Sequence, residues 1–231
     1  MGASAGTYER VLEIIGPIRG NKILDCGCGK GKFSNVLLEK GASVYGCDIY
    51  QSKSLPKNLM FRKSDLNKKI PFEDKSFDKV ICIETIEHLE DPHHLIREIS
   101  RVLKQKGMVY LTTPNIENIK SRIQFLFSGN FHWFGKKEFG FKGSRHINPI
   151  YFKEISFVFE KEGLTLRNVT TNRTRGYTWY IGPQASPFSR LSLLIINLLA
   201  DSLYFIISAF VGADLDVLKK ADIIIVSAQK K

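Results

Sequence analysis

The chain has 231 residues, of which 43% are hydrophobic and 25% are charged, and this composition excludes a protein that is mainly disordered. No segment repeats at a fixed period, which excludes a solenoid. The formal net charge is +11, but the basic residues are scattered and match no nucleic-acid-binding motif, so we expect no nucleic-acid partner. The length suits a single domain over residues 1–231.

The cysteines and the amino-terminal residues together indicate a cytoplasmic protein. Cys26, Cys28, Cys47 and Cys82 lie in or beside apolar runs and lack the spacing of a zinc tetrad, so we expect free thiols that hold no metal. Residues 1–7 are small and polar, unlike the basic and then apolar start of a secretory signal.

Short apolar runs alternate with helical patterns over most of the chain. The predicted strands are, in chain order, 22–26, 43–47, 59–62, 78–83, 108–112, 164–171 and 222–228. The predicted helices are 30–40, 92–103, 116–127 and 151–162. This alternation predicts an α/β fold, a Rossmann-like, seven-stranded, mostly parallel sheet with helices on both faces. A hydrophobic helical insertion at 172–219 is expected before the last strand.

A glycine-rich loop joins the first predicted strand to the first predicted helix. Asp25 is followed at alternate positions by Gly27, Gly29 and Gly31. Glycine lets the backbone approach a ligand closely, and the start of the next helix offers free N–H groups. Ligands of open α/β sheets bind beyond the carboxyl ends of the strands, so we expect a cofactor here. The last interval is one residue too short for the dinucleotide pattern Gly-x-Gly-x-x-Gly, which disfavours an NAD-dependent oxidoreductase.

Three acids stand at the ends of three successive predicted strands, namely Asp25, Asp48 and Asp65. The carboxylate of Asp25 can accept a hydrogen bond from an ammonium group. Asp48 can take both hydroxyls of a ribose, and Asp65 can accept the exocyclic amine of adenine. Each acid alone is an ordinary turn residue, but the three together with the loop favour a cofactor that combines these groups.

On these motifs, segment 22–115 resembles the S-adenosylmethionine-binding core of the class I methyltransferases, and most of all the group that contains the ubiquinone-biosynthesis methyltransferases. Three further motifs resemble that group: Pro-Phe-Glu-Asp-Lys-Ser-Phe-Asp at 71–78, Glu-Thr-Ile-Glu-His-Leu-Glu-Asp-Pro at 84–92, and Thr-Thr-Pro-Asn at 112–115. The resemblance covers about two fifths of the chain and fails over 172–219. It implies a core at 8–115 and a variable, acceptor-side region at 116–150.

The resemblance implies S-adenosylmethionine as the cofactor and assigns residues to it. The methionine part would be held by Asp25, Gly27, Gly29 and Gly31, the ribose by Asp48, and the adenine by Asp65 with Leu66. Ile83 and Glu84 would line the cofactor near its sulfonium, and Cys28 and Ile49 complete the expected set.

Candidate catalytic residues follow the fourth predicted strand. Methyl transfer from a sulfonium requires mainly that a nucleophile is positioned and loses its proton. Histidine has an unperturbed pKa of about 6.5, so His88 can act as a general base, with Glu84 and His146 as further candidates. The alternative is that His88 only holds the loop before the next helix.

The same residues resemble a metal-ligand set. Glu84, Glu87, His88 and the downstream His146 are similar to the divalent-metal ligands of small-RNA 2′-O-methyltransferases and of some quinone O-methyltransferases. Such a set can bind Mg²⁺, Mn²⁺ or Zn²⁺. Related enzymes can also use these residues without a metal, and we do not expect one to be required.

The sequence therefore predicts a methyltransferase that methylates an oxygen of a small or lipid-linked acceptor. One alternative is an inactive S-adenosylmethionine-binding module that serves in protein interaction. The other is the oxidoreductase already disfavoured by the loop spacing. The identity of the acceptor is not encoded in any motif that we recognise.

The insertion contains an unusually apolar stretch. Over residues 191–213 only Asn197 and Asp201 are strongly polar, and a helix of this length approaches bilayer thickness. A single crossing is excluded because the seventh strand must return to the same sheet. Segment 187–213 is therefore expected to be a lid, a homodimer contact or a peripheral contact with the inner membrane face. In the membrane interpretation Arg190, Lys219 and Lys220 meet anionic headgroups.

Overall fold

The computed structural model describes residues 3–135, 145–172 and 221–231. The helices are α1 (Thr7–Ile14), α2 (Lys32–Glu39), α3 (Pro92–Val102), α4 (Ile119–Ser128) and α5 (Phe152–Lys161). The strands are β1 (Lys22–Cys26), β2 (Ser43–Asp48), β3 (Met60–Lys63), β4 (Phe77–Ile83), β5 (Leu103–Pro114), β6 (Leu164–Thr171) and β7 (Ile223–Lys230). A short 3₁₀ helix, Ile86–His88, follows β4.

The strands form one sheet in the order β3-β2-β1-β4-β5-β7-β6. The pairs from β3 to β5 are parallel, whereas β7 runs antiparallel to both β5 and β6. The prediction of a seven-stranded, mostly parallel, Rossmann-like sheet is confirmed. The order reverses at β1, so the loops after β1 and β4 border the crevice in which ligands of such sheets bind.

Alternate strand residues pack on opposite faces of the sheet, as strand geometry requires. Leu24 joins the core cluster that includes α3 and α5. Its neighbour Ile23 joins the cluster that includes α1 and α2. The predicted placement of helices on both faces is therefore confirmed. All four cysteines are buried as free thiols, as expected.

The predicted element boundaries were wrong at β5, and α1 was not predicted. β5 begins at Leu103, directly after α3, and not at residue 108 as the predicted strand 108–112 did. The register shifts between Phe77 and Lys79 on β4, and a bulge of this kind accommodates the extra residues. α4 begins at Ile119 because the side chain of Asn118 accepts a hydrogen bond from the backbone of Ser121.

Two predictions about the insertion lie outside the described residues. Apart from Asn172, the predicted insertion at 172–219 is not described, and this includes segment 187–213 with Arg190 and the lysines at 219 and 220. Within the described ranges, no helix has the length and apolar character needed to span a bilayer.

Candidate active site

The glycine-rich loop connects the carboxyl end of β1 to the amino end of α2. Gly27, Gly29 and Gly31 have positive φ angles of 72°, 54° and 73°, a conformation that favours glycine. A Cβ at Gly27 would overlap Thr85, whereas a Cβ at Gly29 would meet no atom within 4 Å. The loop is therefore closed against the segment after β4 and open at Gly29, where a ligand can reach the backbone.

Asp48 ties the end of β2 to the open part of this loop. Its Oδ2 accepts a hydrogen bond of 2.9 Å from the N–H of Gly29, and its Oδ1 accepts one of 3.1 Å from the N–H of Tyr50. The adjacent Ile49 is 45% exposed. The predicted ribose-binding carboxylate is thus held at the loop by backbone donors, next to an apolar side chain that a ligand can cover.

Asp25 is buried beneath the loop, with 3% of its surface exposed. Its carboxyl accepts a hydrogen bond of 2.5 Å from the hydroxyl of Ser34. Burial raises the pKa of Asp25 from 3.8 to about 7; the bond from Ser34 opposes this rise, and the charge of Asp48 adds to it. A cation placed beside Asp25 would favour its ionised form, so this carboxyl is suited to a positively charged group.

Three predicted cofactor residues turn apolar side chains toward the core. Cys28 is buried, and burial raises the pKa of its thiol, which therefore stays neutral. Leu66 is buried in the cluster that includes α3, and Ile83 packs partly buried against the cluster that includes α1. Cys28 and Leu66 can present mainly their backbone to a ligand.

Asp65 forms a turn after β3, and this is the structural alternative to adenine binding that the sequence left open. Its Oδ1 accepts hydrogen bonds from the backbone and side-chain nitrogens of Asn67 at 3.0 and 3.2 Å, and Lys68 lies 3.7 Å from Oδ2. Asn67 in turn accepts hydrogen bonds from the N–H groups of Glu90 and Asp91. Asn67 therefore fixes the loop after β3 to the loop before α3, a role that sequence reasoning missed.

Glu84 is held by the amino-terminal segment. Its φ angle is +45°, a strained conformation for a residue with a side chain. Its Oε1 accepts a hydrogen bond of 2.7 Å from the N–H of Ser4 and one of 3.4 Å from the hydroxyl of Thr7. Burial raises the pKa of Glu84, and the hydrogen bonds from Ser4 and Thr7 oppose this. Residues 3–8 thus cover the end of β4.

Tyr8 joins this contact to the glycine loop. Its ring lies 4.9 Å from that of Phe33 on α2. The pKa of Tyr8 is raised mainly by burial and also by the charges of Asp25 and Glu84, so the phenol lies near both carboxyls. Sequence reasoning missed Ser4, Thr7 and Tyr8.

His88 and His146 meet beyond the end of β4. Their ring centroids are 4.8 Å apart. Nδ1 of His88 lies 3.1 Å from the carbonyl oxygen of Arg145, and Nδ1 of His146 lies 2.8 Å from that of Trp133. A carbonyl only accepts, so each Nδ1 is the protonated nitrogen and Nε2 carries the basic lone pair. These bonds fix the orientation of both rings and leave Nε2 as the nitrogen that can take a proton or bind a metal.

Glu87 completes a cluster with these histidines. Its side chain is fully buried, and neither carboxylate oxygen has a hydrogen-bond partner of normal geometry among the described residues. Burial raises the pKa of Glu87 from 4.5 to about 8. The ligand atoms of Glu87, His88 and His146 lie within 4.8 Å of one another. The donor set suits proton transfer or a divalent metal. Glu84, the fourth residue of the predicted metal set, contacts Ser4 and Thr7 instead.

An apolar pocket of about 540 Å³ adjoins the cluster. It is lined by Phe125, Gly129, Asn130, Phe131, Phe134, Gly135, Ile147 and Pro149. The rings of Phe134 and His146 are 5.4 Å apart, and the N–H of Ile147 donates to the carbonyl of Glu87. The pocket therefore borders the histidines, within the region predicted to be variable.

Residues 24–111 match the family described as "Methyltransferase domain". They extend from β1 into β5 and include the glycine loop, Asp48 and the motif from Glu84 to His88. Over these residues the chain is similar to a methyltransferase domain, and the resemblance to the class I S-adenosylmethionine-dependent methyltransferases found from the sequence is confirmed. This family implies S-adenosylmethionine as the cofactor, and the match further disfavours an NAD-dependent oxidoreductase.

Within that class, the chain is similar to curated ubiquinone biosynthesis O-methyltransferases. It is 30% identical over 115 residues to the protein of Paracidovorax citrulli. This alignment covers 45% of this chain and 48% of that protein. It is 31% identical over 129 residues to the protein of Bordetella avium, and this alignment covers 52% of each chain. The chain thus spans about half the length of the curated relatives that it matches.

Solved structures with the same fold cover nearly the whole chain. An S-adenosylmethionine-dependent methyltransferase from Archaeoglobus fulgidus has a TM-score of 0.60 at 20% identity and covers 96% of this chain and 92% of that chain. A Haloferax volcanii protein solved with the Trm112 methyltransferase activator has a TM-score of 0.61 at 18% identity. The match covers 97% of this chain and 88% of that chain. At these identities the similarity shows the fold alone.

Proposed function

We propose that this protein transfers the methyl group of S-adenosylmethionine to a hydroxyl oxygen of a small or lipid-linked acceptor. The observation that carries the proposal is the position of the cluster formed by Glu87, His88 and His146. Glu87 and His88 lie on the segment after β4, whose Thr85 contacts Gly27 of the glycine loop, and the cluster borders an apolar pocket.

The residues around the loop fit a cationic cofactor. When bound, S-adenosylmethionine supplies an activated methyl group on a positively charged sulfur. The glycine loop is surrounded by three carboxyl groups, those of Asp25, Asp48 and Glu84. The open backbone at Gly29 leaves room for a ligand. In the proposal Asp25 receives the ammonium group, Asp48 the ribose hydroxyls, and the loop at Asp65 and Leu66 the adenine. A pyrophosphate would be repelled by the same carboxyls.

The histidine cluster would remove the proton of the acceptor hydroxyl. Nε2 of His88 takes this proton while the oxygen–carbon bond forms and the carbon–sulfur bond breaks. The buried carboxyl of Glu87, in its ionised form, would stabilise the imidazolium that results. His146 is fixed by Trp133 and can orient the acceptor oxygen.

The apolar pocket would hold the body of the acceptor. Aromatic side chains supply three of its lining residues, Phe125, Phe131 and Phe134. The ring of Tyr151 lies 6.2 Å from that of Phe131. Flat, apolar groups pack well against such rings. An aromatic or conjugated acceptor that carries a hydroxyl therefore fits best.

The proposal is tested with purified protein, S-adenosylmethionine and catechols whose alkyl chains increase in length. We expect S-adenosylhomocysteine and a methyl ether to form in equal amounts. If S-adenosylhomocysteine binds but no hydroxyl acceptor is methylated, the alternative of an inactive cofactor-binding module is favoured. If it does not bind, the cofactor assignment itself fails.

A further inference from the structure

The amino-terminal segment, residues 3–8, is fixed in place from two sides. On one side the N–H of Ser4 donates a hydrogen bond of 2.7 Å to Glu84, directly after β4. On the other side Nδ2 of Asn172, at the end of β6, donates one of 3.1 Å to the carbonyl oxygen of Ala5. The side chains that the segment carries are therefore held at defined positions beside the glycine loop.

Tyr8, the last residue of this segment, lies between the carboxyl groups of Asp25 and Glu84. Its neighbour in the chain, Thr7, donates to Glu84. Its ring lies 4.9 Å from that of Phe33 on α2, and the residue after Phe33 donates to Asp25 at 2.5 Å. The ring thus bridges the two elements that hold these carboxyls, and its phenol group faces the region between them.

Two nearby hydroxyls already serve these carboxyls, whereas that of Tyr8 does not. Ser34 donates to Asp25, and Thr7 donates to Glu84. Within the part of the chain that the structure describes, the phenol of Tyr8 donates to no other side chain. Burial and the charge of Asp25 raise the pKa of Tyr8, so its O–H keeps its proton and can donate to a ligand.

The amino-acid end of S-adenosylmethionine needs such a donor. This end carries an ammonium group, which suits Asp25, and a carboxylate, which Asp25 and Glu84 repel. A phenol O–H offers the carboxylate a hydrogen bond without adding another negative charge. Hydrogen bonds to an ionised group are also roughly twice as strong as those between neutral groups. The phenol of Tyr8 therefore matches the group that the surrounding acids disfavour.

We propose that Tyr8 is a cofactor-binding residue whose O–H donates a hydrogen bond to the carboxylate of S-adenosylmethionine. The amino-terminal segment then forms one wall of the cofactor site. The inference rests on the proposed placement of the cofactor at the glycine loop and is independent of the acceptor. Tyr8 precedes both the motifs of the sequence and the family match, which begins at residue 24.

The test compares S-adenosylhomocysteine with its decarboxylated analogue, which keeps the adenosine, the sulfur and the ammonium group. By calorimetric titration, we expect Tyr8→Phe to bind S-adenosylhomocysteine at least about tenfold more weakly, because the ring can still pack on Phe33 but the donor is lost. The affinity for the decarboxylated analogue should stay near that of the wild type, since this ligand offers no carboxylate. The matched control is Tyr45→Phe, whose ring packs against Phe72 on the other face of the sheet and should leave both affinities unchanged.

Other outcomes would overturn the proposal. Equal weakening of both ligands in Tyr8→Phe would show that Tyr8 supports the site only through packing, and unchanged affinity for both would show that it does not contact the cofactor. If the wild type binds neither ligand, the cofactor assignment fails together with the proposal. If Tyr8→Phe selectively loses S-adenosylhomocysteine but the wild type methylates no hydroxyl acceptor, the proposed methyl transfer fails and the role of Tyr8 stands.

Discussion

The rings of His88 and His146 lie 4.8 Å apart although the two residues come from separate regions of the chain. Each is held through Nδ1 by a backbone carbonyl, of Arg145 and of Trp133 respectively. Arg145 and Trp133, whose carbonyls accept these hydrogen bonds, have positive φ angles of 60° and 71°. Residues with side chains adopt such angles at a cost, and they cluster where function requires a fixed arrangement. The strained backbone therefore supports a prearranged pair of basic nitrogens.

We expect His88→Ala to lower kcat by about 10²- to 10⁴-fold, because a general base contributes this much to proton transfer. The affinity for S-adenosylhomocysteine should stay near that of the wild type. The control is His93→Ala, since His93 forms an exposed pair with Glu154 on α5. Turnover within a few-fold of the wild type in His88→Ala would show that His88 is structural.

The raised pKa of Asp25 predicts a pH dependence of stability. The unfolded chain releases this proton near 3.8, but the folded protein keeps it up to about 7 because the carboxyl is buried. The free energy of unfolding of the cofactor-free protein should therefore fall as the pH rises between these values. Denaturation at a series of pH values should show a flatter dependence in Asp25→Asn. Equal slopes in the two proteins would contradict the assignment.

The same carboxyl predicts a pH dependence of binding. An ammonium group favours ionised Asp25, so the affinity for S-adenosylhomocysteine should rise by up to roughly tenfold between about pH 6 and about pH 8. Calorimetric titration measures this change directly. In Asp25→Asn the rise should be absent; a rise of the same size in the variant would assign it to another group.

We expect methyl transfer to continue after treatment with a chelator. Glu84 contacts Ser4 and Thr7, so only three of the four residues in the predicted metal set meet, and His88 can accept the proton without a metal. The measurement is turnover before and after dialysis against EDTA. Loss of activity that Mg²⁺ or Mn²⁺ restores would instead assign Glu87, His88 and His146 to metal binding.

The sequence predicted the parts of the site that depend on local patterns. The alternate glycines after Asp25 and the acid at the end of β2 follow from strand–loop–helix geometry, and the structure joins them through the bond from Gly29 to Asp48. The seven-stranded, mostly parallel sheet followed from the alternation of strands and helices. These features need no knowledge of distant contacts.

Contacts between distant segments could not be predicted. Ser4 reaches Glu84 across 80 residues through polar atoms, and no periodic pattern marks such a pair. The early start of β5 was missed because Lys104 to Gly107 resemble a turn. Leu103 pairs with Phe77 and Met108 pairs with Lys79 on β4, so the strand begins at Leu103 and residues 104–107 form a bulge within it. The pocket lies in the region of 116–150, where no recognised motif was available.

The central claim is that the open glycine loop binds S-adenosylmethionine. It is tested most directly by calorimetric titration of S-adenosylhomocysteine into the wild type, Gly29→Val and Gly163→Val. Both glycines have positive φ angles and open space around a Cβ, so the two substitutions bring similar backbone strain, but only the first lies in the loop. The account predicts binding to the wild type and to Gly163→Val and its loss in Gly29→Val. Near-wild-type affinity in Gly29→Val, or no binding to the wild type, would contradict it.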